Sequence, residues 1–257
     1  WQTANAAANS SNIHFVSINS KDATKGNYGN DGATGVAATA IGVDAIAAGA
    51  NATALGFSSN ASGLNSIAIG DSLAAGTKST AIGYNANAKG NNGVAVGVNA
   101  QTIGDNALAI GTGRNDINNQ RTSAGTQSVA LGYTARADGS SAVAIGTYTA
   151  AGTNSIAMGN GADATQSNTI AIGTNAYAGV EAIHIGTSTV RGNDSNLTGA
   201  FRRGSTLIGN EAVGQGLYTT VVGNHSQVLA NERVLATGLL GKQFVAQNAF
   251  TNILGDY

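Results

Sequence analysis

The sequence predicts an all-β solenoid, a parallel β-roll whose coils of 13 or 14 residues each hold two short strands. Three observations carry that expectation. An aliphatic-x-aliphatic-Gly signature recurs thirteen times, ending on Gly42, Gly56, Gly70, Gly83, Gly97, Gly111, Gly132, Gly146, Gly159, Gly173, Gly186, Gly209 and Gly223. The spacings run 14, 14, 13, 14, 14, 21, 14, 13, 14, 13, 23 and 14. A second glycine falls midway through most units (Gly49, Gly63, Gly76, Gly90, Gly104, Gly125, Gly139, Gly152, Gly179 and Gly216), with Gln166 in its place once. Composition agrees: 37 glycines, no proline or cysteine, 10% charged and 5% aromatic residues in a chain of 257, far from the usual profile of a globular domain.

The first half-unit is a strand, because fourteen residues cannot hold a helical hairpin and apolar positions alternate at period two, as in Ile67-Ala68-Ile69 and Val94-Ala95-Val96. Glycine then permits positive φ and a tight corner. A second short strand of Ala-x-Ala type follows, and the midway glycine returns the chain to the next coil. Each unit buries its apolar face only by stacking on its neighbours. Stacked at roughly 4.8 Å, thirteen coils reach about 60 Å. The lack of proline leaves every ladder donor in place.

Alanines alternate in the second half-unit (Ala45 and Ala47, Ala86 and Ala88, Ala135 and Ala137, Ala162 and Ala164, Ala176 and Ala178), around the variable Ile46, Asn87, Arg136, Asp163 and Tyr177. The variable residues are expected to face solvent and the alanines the interior. A gap near 10 Å between two sheets is filled best if the large aliphatics of the first strand point at those alanines. Ala68, Ala81, Ala95, Ala109, Ala130, Ala144, Ala157 and Ala171 would then line a small, flat external face suited to packing on copies of the chain. The opposite parity, with bulky residues in the subunit contact, is the alternative.

Other classes find little support. Without cysteine there is no disulfide framework or thiolate metal site. A net charge of −1 with no long charge run gives no nucleic-acid footprint. No stretch of about 18 apolar residues could span a bilayer, and the N-terminus lacks a signal-peptide profile. His14, His184 and His225 stand far apart, so no nucleophile-base-orienter set is suggested and neither catalysis nor a cofactor is expected. The Gly-Gly-x-Gly-x-Asp calcium roll of period nine is missing. A coil of fourteen excludes the three-strand hexapeptide helix, and the varied outward positions exclude a threonine ice-binding ladder.

The segments "NSIAIG" (65–70), "NSIAMG" (154–159) and "NTIAIG" (168–173) resemble the head repeat of trimeric autotransporter adhesins of the YadA-like type, over roughly residues 36–223. "NYGNDGATG" (27–35) is similar to the segment that leads into such heads. The resemblance implies a left-handed roll and three copies joined about a long axis. It also implies display on a Gram-negative cell surface by a stalk and outer-membrane anchor, and attachment to host matrix proteins (fibronectin, collagen or laminin class) or to host-cell receptors. Residues 224–257 depart from the pattern. They lack the neck signature, and their apolar pairs recur every five or six residues, fitting neither a heptad nor a strand.

The expected organisation is a cap or lead-in at 1–35, the head repeats at 36–223 with insertions at 112–125 and 187–204, and a collar or neck-like segment at 224–257. The first insertion adds seven residues to the pitch (21 − 14) and the second nine (23 − 14); insertions in a solenoid leave as loops. Arg114, Asp116 and Arg121 in the first, and Arg191, Asp194, Phe201, Arg202 and Arg203 in the second, are candidate ligand contacts, since Arg and aromatic groups anchor interfaces well. Folding of these loops over a neighbouring subunit is the competing role. Trp1, His14, Phe15 and Tyr28 concentrate aromatics in the N-terminal segment, as a cap over the first coil or a binding tip. His184 interrupts the small external row. Were that row on a threefold axis, three imidazoles would approach one another and could bind an anion or metal or titrate near pH 6. Two functions are expected to compete: an adhesin head that binds host ligands, and a spacer or self-association module that promotes aggregation.

Overall fold

A computed structural model describes residues 24–114, 121–187, 199–200, 203–214, 217–229, 234–237, 243–245 and 251–254. Among these residues there is no helix. The strands form one 15-stranded sheet, from Thr39–Ile41 to Thr251–Leu254, a second of nine strands, from Ile46–Ala47 to Asp163–Ala164, and a third of four, from Gly199–Ala200 to Gln243–Val245. All pairs in the repeat are parallel and one coil out of phase: Ala68 lies beside Ala54 on one side and Ala81 on the other. Short apolar strands separated by sharp corners dictate this, since a coil too small to enclose a core alone finds its backbone partners only above and below.

The two glycines of a unit serve different purposes. The thirteen that end the first strand all have positive φ, for example Gly83 at 126°, a region essentially closed to side chains. The midway glycines are set by close approach: a Cβ on Gly63 would lie 2.0 Å from the carbonyl oxygen of Gly76 in the next coil. Most corners also carry a left-handed residue beyond that glycine, most often asparagine, which tolerates that region best after glycine. Stacked corner asparagines bond to one another: Asn85 Nδ2 donates to Asn99 Oδ1 at 2.7 Å, and Asn99 Nδ2 donates to the Gly113 carbonyl at 2.9 Å. We call the corner after the first strand the leading corner, and the one after the second strand the trailing corner.

The interior is nearly all methyl groups and hydroxyls. The Ala-x-Ala alanines of the second strand face inward as expected, and Ala45, Ala47, Ala135 and Ala137 are fully buried. The first strand reverses expectation. Ala68, Ala81, Ala95, Ala109, Ala130, Ala144, Ala157 and Ala171 are all fully buried inside the roll, so they form no external face. The large aliphatics that flank them point outward: Leu55 is 43% exposed, Ile67 40%, Ile110 42%. The reason is width. Tight corners bring the two strands so close that facing methyl groups fill the bore, and a pair of isoleucines per coil would overpack it. Small hydroxyls complete the lining where the chain turns; Ser128 Oγ donates to the Gly139 carbonyl at 2.6 Å and Ser155 Oγ to the Gln166 carbonyl at 2.7 Å.

Regularity ends past Ala171, where the inward column continues as His184, Leu207 and Val221, all fully buried. The wider side chains are matched across the bore: a Cβ on Gly214 would lie 2.8 Å from Leu207 Cδ2. On this stretch the second sheet is interrupted. After Asp163–Ala164 an isolated bridge joins Asp163 to Tyr177, and the next described strand on that side is Gly199–Ala200. The first sheet runs through both pitch breaks in register, Leu108 beside Val129 and Ile183 beside Thr206. The stack of the first sheet is therefore continuous across both pitch breaks. At the other end, Ala33 bridges to Ala47; beyond Gly223 the backbone adds strands Val234–Thr237 and Thr251–Leu254 to the first sheet.

Candidate functional site

Two outward columns of the first sheet make the most extensive apolar surface on the described residues. The column after the inward central residue of each strand is aliphatic throughout, from Ile41, Leu55 and Ile69 to Ile185, Ile208 and Val222, except for Met158. The column before it mixes Ile, Val and Leu with threonine, as at Thr53, Thr80, Thr206 and Thr220. Every one of these side chains is half-buried or exposed. A continuous aliphatic stripe of this length exceeds the scattered apolar groups of an ordinary surface. It stands where the alternative parity places a subunit contact.

The candidate ligand residues do not converge. Arg121 lies over the second sheet, where Nη1 donates to Gln101 Oε1 at 3.0 Å. Arg203 sits at the trailing corner and grips Glu181 with two bonds, Nε to Oε2 and Nη2 to Oε1, both 2.8 Å. The Arg203 hydrogen bond holds the Glu181 carboxyl below its usual range, and the same contact raises the guanidinium. Gln101 and Glu181 are five coils apart, about 24 Å at 4.8 Å per coil. Arg114 is exposed at the leading corner, where the first insertion departs. Asp116, Arg191, Asp194, Phe201 and Arg202 lie outside the described residues, as do Trp1, His14 and Phe15.

His184 also differs from expectation. It points into the bore of its own chain, so no set of three imidazoles meets at an external axis. Its Nδ1 lies 3.1 Å from the Tyr177 carbonyl oxygen and 3.3 Å from the Tyr177 nitrogen. The ring thus stands against the backbone at the place where the second sheet is interrupted. Nε2 is buried with no partner. Burial pushes the imidazole below its ordinary pKa, partly offset by the Tyr177 contact, so the ring is neutral at pH 7. Among the described residues no group of three potential metal ligands comes together.

A polar site that the repeat spacing does not reveal lies on the outer face of the second sheet. Arg136 Nε donates to Asp138 Oδ2 at 2.8 Å, and Ser123 Oγ donates to Asp138 Oδ1. With Ala150 small at the adjoining outward position, Arg136 and Asp138 border a shallow open groove that Gly139, Ala151, Gly152 and Thr165 also line. The variable position occupied by Arg136 was the available signal, but only the register shows that Ala150 leaves a gap beside it.

A comparison with curated proteins returns no match. The profile of the YadA head domain repeat (2 copies) matches in six placements, residues 33–59, 47–72, 74–100, 88–113, 123–149 and 150–176. These placements follow the coils and cover the regular part of the stack, together more than half of the chain. No helix among the described residues is long and apolar enough to cross a membrane. With this repeat matched along the stacked coils, the chain belongs to the YadA head family, whose domains are of adhesin type.

Proposed function

We propose that this domain is the ligand-contacting head of a homotrimeric bacterial surface adhesin that attaches cells to extracellular matrix proteins or host receptors. The observation that carries the reading is the aliphatic stripe on the first sheet. Three copies turning that face toward a common axis would bury it, leaving second sheets, corners and insertions exposed. Three equivalent outer surfaces raise avidity without new contacts. Arg114, Asp116, Arg121, Arg191, Asp194, Phe201, Arg202 and Arg203 remain the proposed ligand-contact set, residues 1–35 the cap, and residues 224–257 the passage to a stalk and membrane anchor beyond this segment.

A second reading, a spacer that promotes self-association, draws support from the engaged state of two insertion cations: Arg121 bonds Gln101 and Arg203 bonds Glu181 within the chain. Deleting residues 115–121 and 189–196, which spares the strands Ser123–Ala124 and Gly199–Ala200, together with Phe201→Ala, Arg202→Ala and Arg203→Ala, separates the two. Under the adhesin reading, the deleted protein keeps its β-rich circular dichroism spectrum and loses binding to immobilised matrix proteins. Unchanged binding by a folded deletion protein overturns the loop assignment and favours the spacer.

A further inference from the structure

We infer that His184 is a proton-sensitive latch: neutral, it holds residues 174–182 over the bore, and on taking up a proton it lets that segment lift while the first sheet stays paired. The two sides of this coil are held unequally. On the first sheet, Ile183–Ile185 pairs along its whole length with Ile170–Ile172 on one side and Thr206–Ile208 on the other. On the second, the paired strands of earlier coils give way to isolated bridges at Tyr177 and Ala178. A segment with so few ladder bonds belongs to the low-stability end of a fold and opens before its neighbours.

His184 spans the two sides. Its ring is fully buried, with Ala171 and Leu207 before and after it in the inward column and Ala176 and Ala178 inward on the side opposite. Nδ1 is within reach of both the Tyr177 N–H, at 3.3 Å, and the Tyr177 carbonyl, at 3.1 Å, while Nε2 is buried with no partner. The neutral ring therefore meets the Tyr177 backbone with one nitrogen and leaves the other among methyl groups. The imidazolium carries an N–H on both nitrogens. Nδ1–H still suits the carbonyl, but the Tyr177 N–H then faces a donor, and Nε2–H brings charge into an apolar bore without an acceptor.

Among the described residues, no charge on the packed elements faces the ring. Ile170–Ile172 and Thr206–Ile208 carry no ionisable side chain. Asp163 and the Tyr177 phenol alternate outward on the second-sheet side, and burial together with Asp163 raises the phenol, which stays neutral. Glu181, exposed at the trailing corner, is bonded to Arg203 through both oxygens, which keeps its carboxyl ionised where histidine titrates. Lifting 174–182 returns water to the imidazole and restores its ordinary pKa near 6.5, whereas burial holds it lower in the closed coil. The open form thus binds the proton more readily, and opening is favoured as pH falls below about 6.5.

Because the chain has no cysteine, one introduced thiol reports opening without background. Ala178→Cys places it in the segment, and Ala137→Cys at the corresponding inward position of a regular coil; both alanines are fully buried. Labelling by a pyridyl disulfide is followed from pH 7 to pH 5, normalised at each pH to the same variant unfolded in urea. The Ala178→Cys thiol should label several-fold faster on acidification, by at most about tenfold per pH unit. The Ala137→Cys thiol should show no such gain, and adding His184→Leu should abolish it at Ala178→Cys. Equal acceleration at both thiols, acceleration at neither, or acceleration that survives His184→Leu overturns the latch. Hydrogen exchange on the unaltered protein, corrected for the intrinsic rate at each pH, decides the matter if a variant fails to fold. Amides of 174–182 should lose protection on acidification while those of 133–139 keep theirs; uniform loss, or no loss, contradicts the latch.

Discussion

Replacing Ala144 with leucine tests the width of the bore. Ala144 is fully buried, its column neighbours are Ala130 and Ala157, and both are fully buried too. Leucine adds three carbons where facing methyl groups already close the space. Overpacking of this kind costs about 1–3 kcal/mol even where a core can adjust. A solenoid adjusts poorly, because each coil is tied to the next by strand pairing on both sheets. At ~1.4 kcal/mol per decade, the folded-to-unfolded ratio should fall roughly 5- to 150-fold. Adjacent Ile145 points outward, so Ile145→Leu, of equal volume, serves as the control. Urea unfolding followed by circular dichroism gives the midpoints, and the slope reports whether coils fray separately. An Ala144→Leu midpoint equal to that of wild type would show that the interior has room for large side chains, and the inward-alanine account would be wrong.

Other outcomes follow from single sites. His184 is neutral in the fold and its pKa lies below the ordinary value near 6.5, so the unfolded chain binds the proton more readily. Stability should therefore fall as pH drops below about 6.5, by at most ~1.4 kcal/mol per pH unit, and flatten below the folded pKa. In His184→Leu, which borrows the residue of the next coil, that contribution should vanish; an unchanged pH profile would assign it elsewhere. Gly63→Ala should disrupt its coil outright, since the new Cβ would sit 2.0 Å from the Gly76 oxygen, seen as lost amide protection in hydrogen exchange there. Asn99→Ala removes a buried link between Asn85 and the Gly113 carbonyl and places alanine at φ 58°. It should cost about 1–3 kcal/mol by urea midpoint, whereas the exposed Asn154→Ala should cost less.

The period of the sequence was enough to place the alternating strands and the corners, because strand length and glycine spacing act locally. Parity was not readable in the same way. Alternation in Ile67-Ala68-Ile69 tells which residues share a face, but not which face is inside. Assuming an ordinary sheet separation put the isoleucines inward, whereas in the regular coils up to Ala171 the tight corners bring the strands close enough that alanine fills the inward column. The inversion carried His184 with it: its odd place in the alanine column was visible from the repeat, yet the column faces the bore. Arg203 was legible as an insertion cation, but its partner Glu181 lies 22 positions away and becomes a neighbour only through stacking.

Solution mass tests the central claim most directly, that this narrow roll leaves an aliphatic face for its own copies to cover. Light scattering on the purified domain should give three times 25.3 kDa, and a variant carrying Ile82→Asp and Ile110→Asp on the stripe should fall to one chain while keeping its β spectrum. A wild-type mass of 25.3 kDa would contradict the account.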